Sequence, residues 1–451
     1  MANEQTLKVR LKRYYFVTAA FFASLGLLLF TFVEIRRGFL FSDYFRVGSP
    51  SALLNLDLRQ LPLLIAGGLG IWLSFRFMRK HESALKESGA SLKLAARALA
   101  IAIGAFMVVD LFIYRGVPAS RIVSAGDMSA GTGTMGIGQA LSVASLPEWL
   151  IPLGEGVNYL LVVWHAVFLG MLLGGLFLVA GAGLMARLRG SGFGNHLAGV
   201  ALALPQPFCS CCAAPVGSAL YRKGASLGPM MAFMVSSPML NVTGLILAVA
   251  LLPTSFAILR IAGGVIVGVF LTYAVSRMVS RWVQREEVEV KPVGRVATLF
   301  SRGLNAYNRL FQFEKLYHQD SLESPVALIT SWLGMAGRLA RVVVPVLLIG
   351  AVLAVYIVRM LPDGGNSITG IVATAGVATM LMVPTWTEIP FAAGLINEGL
   401  GGVAAVVLIT LPAVSIPALV IAAGAVRSIR VMVVLGLAVF VVGALAGIIF
   451  L

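Results

Sequence analysis

Cysteine is scarce: the chain has three in 451 residues, Cys209, Cys211 and Cys212, all within four positions. With none in the expected external loops, a disulfide scaffold is excluded. The four histidines (His81, His165, His196, His318) lie far apart, and neither HxxxH nor CxxC…CxxC spacing occurs. That argues against a structural zinc site or a zincin. Walker A is absent, and the glycines of GDMSAGTGTMGIGQ (126–139) follow no strand–helix pattern. ATP-driven transport by this chain alone and a dinucleotide site are thereby excluded, no cofactor is expected, and no catalytic constellation marks an enzyme.

Charge is scarce as well, at 12%, against 59% hydrophobic residues and a mean hydropathy of +0.94. No soluble domain needs so much apolar surface, so the chain reads as a polytopic membrane protein whose first partner is the lipid bilayer. A net charge of +15 would suggest nucleic acid in a soluble protein. Here the basic residues sit in short clusters beside apolar runs, so topology explains them and no nucleic acid is expected.

Runs of spanning length lie at about 14–35, 61–78, 92–114, 158–186, 228–252, 255–278, 330–360, 402–425 and 429–451. The first, after Lys8, Arg10, Lys12 and Arg13, exceeds a signal-peptide core and reads as an uncleaved signal anchor. Two more segments, about 197–223 and 366–398, are apolar but broken by proline, glycine and polar residues. Basic clusters at 8–13, 76–97, 187–189 and 277–315 put the N-terminus in the cytoplasm of a bacterial inner membrane and 115–157 outside. Arg36, Arg37, Arg46 and Arg59 run against this locally. The charges fit best if both broken segments are re-entrant hairpins, entering from opposite faces.

The broken segments share a frame. Pro215 to Gly224 is nine residues, as is Pro390 to Gly399; Pro238 precedes Asn241 by three, and Pro412 precedes Ser415 by three. The expected fold is therefore all-α: an inverted-topology repeat of span, re-entrant hairpin, span and span, plus three additional N-terminal spans. The parts are an N-terminal segment 1–114, an external loop 115–157, repeat one at 158–278, a cytoplasmic linker 279–325 and repeat two at 326–451. Such repeats recur in secondary transporters, because irregular backbone survives at membrane depth only where it is buried or lines a cavity.

The pattern PFCSC…P…LYRKGAS…AF…SSPMLN, followed by a second Pro/Gly hairpin, resembles the predicted permeases that include ArsP-type organoarsenical efflux permeases and related heavy-metal exporters. The resemblance covers about 158–451 and implies a membrane permease exporting a soft metal or metalloid. Cys212 and the acidic TWTEIP of the second hairpin depart from that pattern.

Thiolates are soft ligands that favour Cu(I), zinc and trivalent arsenic. Cys209 and Cys211 would point the same way in an extended segment, and Pro205, Pro207 and Pro215 argue against helix there. A cargo site is accordingly expected on Cys209, Ser210 and Cys211, with Cys212 as a further thiol, the alternative being that cysteine is a small apolar residue packed in a bundle. Glu388, deep in an apolar run, is a proton-coupling candidate, or a water-exposed hairpin tip. Ser237, Asn241, Trp386 and Thr387 complete the candidate lining. Pro207, Pro215, Gly224, Pro238, Pro384, Pro390, Gly399, Pro412 and Ser415 are expected to shape hairpins and helix breaks. Arg222 and Lys223 fit a headgroup anchor, with an anion-attracting mouth as the alternative; His165 and Asp110 are read as hydrogen-bonded packing residues. Two other functions stay open: a permease for an unrelated solute, and a membrane thiol–disulfide relay, against which the cysteine-free second half speaks. So does homo-oligomerisation.

Overall fold

The computed structural model describes residues 2–37, 58–88, 91–125, 143, 146–180, 187–205, 208–286, 322–359, 365–383 and 388–451. Every regular element among them is helical. Three helices come first: α1 (Ala2–Arg37), α2 (Gln60–Glu87) and α3 (Lys93–Ala125). The next group is α4 (Ile151–Ala180), α5 (Phe193–Ala203), α6 (Ser210–Arg222), α7 (Leu227–Met239), α8 (Val242–Leu251), α9 (Thr254–Val265) and α10 (Thr272–Glu286). A π-helical turn, Ile266–Leu271, joins α9 to α10. The last group is α11 (Pro325–Arg359), α12 (Ile368–Met380), α13 (Glu388–Asn397), α14 (Gly401–Ala413), α15 (Ile416–Val426) and α16 (Ile429–Ile449).

Eight helical stretches among the described residues are long and apolar enough to cross a membrane. Their outer faces carry exposed Ile65, Leu69, Trp72, Ile258, Phe270, Val441 and Leu445, side chains that lipid solvates and water does not. This is a multi-pass membrane protein. The span expected at 158–186 is α4, which starts earlier, at Ile151. The runs expected at 228–252 and 402–425 are each two helices, parted at Leu240–Asn241 and at Val414–Ser415. Pro238 and Pro412 therefore sit in the last turn of α7 and of α14, just ahead of each break.

The two later groups run through the same order of elements: a long helix, two short ones, a broken pair, then a closing helix. The first members, α4 and α11, pack along one another, with Trp332 Nε1 donating to Leu172 O at 2.7 Å. Within each group the first short helix lies on the first half of the broken pair, α5 on α7 and α12 on α14.

The equal proline–glycine spacings end in equal geometry. Gly224 and Gly399 have φ of 105° and 78°, which disfavour any side chain. At α6, Gly224 N bonds Tyr221 O and Ala225 N bonds Leu220 O; at α13, Gly399 N bonds Ile396 O and Leu400 N bonds Leu395 O. Both are Schellman endings.

The N-terminal helices are clasped to the rest through a carboxylate. Glu82 on α2 accepts from Tyr14 OH at 3.0 Å, Ser324 Oγ at 2.5 Å and Val326 N at 3.3 Å. The last two belong to the start of α11, where unpaired N–H groups favour an anion. Of the linker expected at 279–325, residues 279–286 continue α10 and residues 287–321 lie outside the described residues, as does the loop 126–139.

Candidate substrate site where the two halves cross

The thiols sit at the start of α6. Cys209 is the N-cap residue, extended at φ −76° and ψ 164°, and its carbonyl accepts from Cys212 N and Ala213 N at 3.0 and 2.9 Å. One turn of helix then brings position 212 back over position 209. The two Sγ atoms are 2.6 Å apart, as thiols, in residues 1% and 3% exposed.

The convergent pair is thus Cys209 with Cys212, where extended chain would have aligned Cys209 with Cys211. Helix begins within the stretch that the prolines implied to be extended, because Pro205 lies ahead of α6 and Pro215 is accommodated inside it. Pro215 does not break the helix; it has no N–H to give the Cys211 carbonyl one turn back. Cys211 lies in α6 with its side chain outside the described residues, and Pro207 lies outside them altogether.

Ser210, the first residue of α6, meets the other half of the molecule. Its Oγ lies 3.2 Å from Ser415 Oγ, both buried, and Ser415 is the N-cap residue of α15. The start of α6 therefore touches the break between α14 and α15.

The reciprocal contact exists too. Glu388, the first residue of α13, is 1% exposed, and its Oε1 is 3.0 Å from Arg260 Nη2 on α9. The same guanidinium donates to Pro238 O at 3.1 Å and reaches Met239 Sδ at 3.1 Å, both at the end of α7. Asn241 holds that break together: Nδ2 donates to Pro238 O at 2.9 Å, while Oδ1 accepts from Gly244 N at 2.7 Å and Thr243 Oγ1 at 2.9 Å. Asn241 is a cap, and the cross-contact falls to Ser415, whose side chain caps nothing in α15.

Arg260 is the residue that the sequence reading misses. It stands alone in the apolar TSFAILRIAGGV and is wholly buried, so the rule that singles out Glu388 applies to it equally. Two opposite charges in low dielectric make a bond that is costly to break one side at a time. Glu388 is not a water-exposed tip.

Ser237 is buried in α7, and Pro390 lies in the first turn of α13, where a missing N–H costs nothing. Pro384, Trp386 and Thr387 lie outside the described residues. His165 Nε2 and Asp110 Oδ2 do meet, at 3.7 Å, between α4 and α3. Arg222 Nη2 donates to Gly424 O at 2.7 Å, and Lys223 Nζ donates to Leu178 O. Among the described residues no three of His, Cys, Asp and Glu gather as a metal cage. What the crossing offers is two adjacent sulfurs, two hydroxyls and one buried ion pair.

Buried polar groups where broken helices meet, inside an apolar multi-span bundle, are the arrangement that a membrane permease would use. The family of predicted permeases matches residues 156–451, and this chain belongs to it, in the ArsP/YraQ branch of membrane transporters. The chain is 29% identical over 296 residues to the UPF0718 protein YraQ of Escherichia coli K12, covering 64% of this chain and 78% of that protein. It is 25% identical over 286 residues to the UPF0718 protein MJ0584 of Methanocaldococcus jannaschii, covering 53% of this chain and 78% of that one. No solved structure matches.

Proposed function

We propose that this protein is a secondary transporter of the bacterial inner membrane, N-terminus cytoplasmic, that exports a thiophilic metal or metalloid species such as a trivalent methylarsenical. The observation that carries the reading is the adjacency of Cys209 and Cys212 at the buried start of α6, where two sulfurs suit one soft ion. A helix N-terminus favours negative charge, which suits a thiolate ligand.

On this reading α4–α10 and α11–α16 are inverted repeats, and α5–α6 and α12–α13 are re-entrant hairpins. Each hairpin's second helix would begin near the midplane against the helix break of the opposite half. Glu388 would carry the coupling proton: taking it up discharges the carboxylate and leaves Arg260 without its counter-ion, a cost relieved by moving one half against the other. The equal glycine turns and the two crossed contacts support this arrangement.

The test is thermal unfolding of purified wild type and of Cys209→Ser, Cys211→Ser and Cys212→Ser, under reducing conditions, against arsenite, methylarsenite, antimonite, Cu(I) and zinc. A ligand at about 100 times its dissociation constant adds about 2.7 kcal/mol if it binds only the folded state. Stabilisation lost in Cys209→Ser and Cys212→Ser supports the reading. Stabilisation by none of the five, or equal stabilisation of every variant, refutes the soft-cargo site and leaves a permease for another solute.

The same adjacency favours one second reading, a thiol–disulfide relay, since paired cysteines at a helix start are arranged for exchange. Growth on a thiol-oxidant challenge rescued by the wild type and not by Cys212→Ser, with no metal effect, would select it.

A further inference from the structure

Two ionisable residues are buried between α3 and α4. Asp110 is the one acid in the apolar stretch IAIGAFMVVDLFI of α3, and His165 the one ionisable residue in LLVVWHAVFLG of α4; they are 2% and 0% exposed. Asp110 lies ahead of the matched residues 156–451 and His165 lies within them, so the added helices supply one group and the permease the other. We infer that the two form a proton-binding site, separate from Glu388 and independent of the soft-cargo reading, through which the N-terminal helices are coupled to the permease.

An ionisable side chain inside an apolar span is costly, and where it is kept beside a partner it marks a proton or ion site. Asp110 Oδ2 stands 3.7 Å from His165 Nε2. That is within reach of an ion pair and beyond a hydrogen bond, and Asp110 Oδ2 makes no hydrogen bond among the described residues. The pair is therefore not the fixed hydrogen bond that packing residues would share. Its surroundings are close and apolar. A Cβ on Gly104 of α3 would stand 3.4 Å from Leu176 Cδ2 of α4, and Phe32 of α1 sets its ring edge-on to Trp164 and Phe168 at 5.9 and 6.2 Å. Trp164 in turn meets the His165 ring edge-on at 5.3 Å, and its buried Nε1 makes no hydrogen bond among the described residues. An acceptor and a donor, both buried without a hydrogen bond and both beside one imidazole, are what a water delivering a proton would complete.

The other titratable groups on the packed elements do not replace either partner. From α1 comes Glu34, buried and with an interaction of its own. Helix α6 brings Cys209 and Cys212 against α4, and α8 brings no titratable residue against α3. On α11, Arg338, Arg341 and Tyr356 are exposed; so is Glu148 ahead of α4, and Glu155 within it is half-buried. His165 is thus the counter-charge that Asp110 has at ion-pair distance.

The step is the gain of one proton from water. Without it a carboxylate faces a neutral imidazole, net charge −1; with it the pair is neutral overall and can hold a carboxylate against an imidazolium, and loss of the proton to water restores the first form. Only the protonated form sets opposite charges across the α3–α4 contact, so the proton decides how firmly the added helices hold α4.

Trp164 supplies the readout, because an imidazolium accepts an electron from excited indole and quenches it where a neutral imidazole does so far less. The full chain in phosphatidylcholine nanodiscs is taken from pH 8 to pH 5, the range in which imidazole charges, and its fluorescence compared with that of Trp164→Phe. A reversible loss of the Trp164 emission on acidification is expected. It is absent in His165→Gln and in Asp110→Asn, restored in Asp110→Glu, and unchanged in His81→Gln, on exposed α2 surface. Proton uptake over the same range, measured in weakly buffered solution, should be about one proton greater in wild type than in Asp110→Asn/His165→Gln. Should a variant fail to fold, wild type against Trp164→Phe still decides, since both keep the pair. A Trp164 emission indifferent to pH, quenching that survives Asp110→Asn or His165→Gln, or equal proton uptake by wild type and the double variant overturns the proposal.

Discussion

Removing either partner of the Arg260–Glu388 pair should destabilise the protein, but not symmetrically, and the asymmetry should depend on pH. At 3.0 Å and an effective dielectric constant near 20, the attraction is about 5.5 kcal/mol. Glu388→Gln strands a guanidinium that cannot deprotonate, in a side chain with no exposure. The expected cost is about 3–5 kcal/mol at any pH between 5 and 8. Arg260→Met strands a carboxylate instead, and a carboxylate has an exit, because it can take up a proton. From an ordinary value near 4.3 that exit costs about 3.7 kcal/mol at pH 7 and about 1 kcal/mol at pH 5. Its penalty in Arg260→Met therefore shrinks on acidification, because protonation removes the stranded charge. The double variant Arg260→Met/Glu388→Gln has no stranded charge and should be more stable than the sum of the single losses predicts. The assay is equilibrium unfolding in mixed micelles at pH 5 and pH 7.5 for all four proteins. Additive losses, or an Arg260→Met penalty that does not change with pH, would refute the pairing.

Other expectations follow from close packing and from the clasp. A Cβ on Gly443 would fall inside contact distance of Thr410 Cγ2, and Thr410 is pinned by its Oγ1 bond to Val406 O at 2.8 Å. Gly443→Ala should cost about 1–3 kcal/mol, and Gly443→Ala/Thr410→Ser, which deletes the obstructing methyl and keeps the bond, should recover most of it; no recovery would mean that the α14–α16 contact is not the tight point. Glu82→Ala should strand the buried Tyr14 hydroxyl and the start of α11, at a cost of about 2–4 kcal/mol. Glu82→Gln should cost less. Unfolding midpoints and protease sensitivity between α2 and α11 check both, and unchanged values would show that the N-terminal helices dock by other means.

Local physics carries the residues a definite distance. Apolar run lengths reveal a multi-span protein, and the nine-residue spacings from Pro215 to Gly224 and from Pro390 to Gly399 mark two turns that are the same Schellman ending, because such an ending is decided within six residues. Local rules also mislead where two of them compete. The prolines at 205–215 argue for extended chain, yet a proline ahead of a helix start, or early within it, leaves the first turn intact, and the first turn is what brings Cys212 to Cys209. The partnerships that give the crossing its chemistry join residues 205 and 128 positions apart, Ser210 with Ser415 and Arg260 with Glu388. No pattern within one segment encodes them. What a sequence does contain is the cost each residue would incur alone: a buried arginine and a buried glutamate in separate apolar runs are each prohibitive, and the membrane offers no water to relieve either. Each isolated intramembrane charge is therefore half of a pair whose other half lies elsewhere in the chain. Applied to Arg260 and Glu388, that rule demands a partner for each, and the structure supplies it by bringing the span that holds Arg260 against the start of α13.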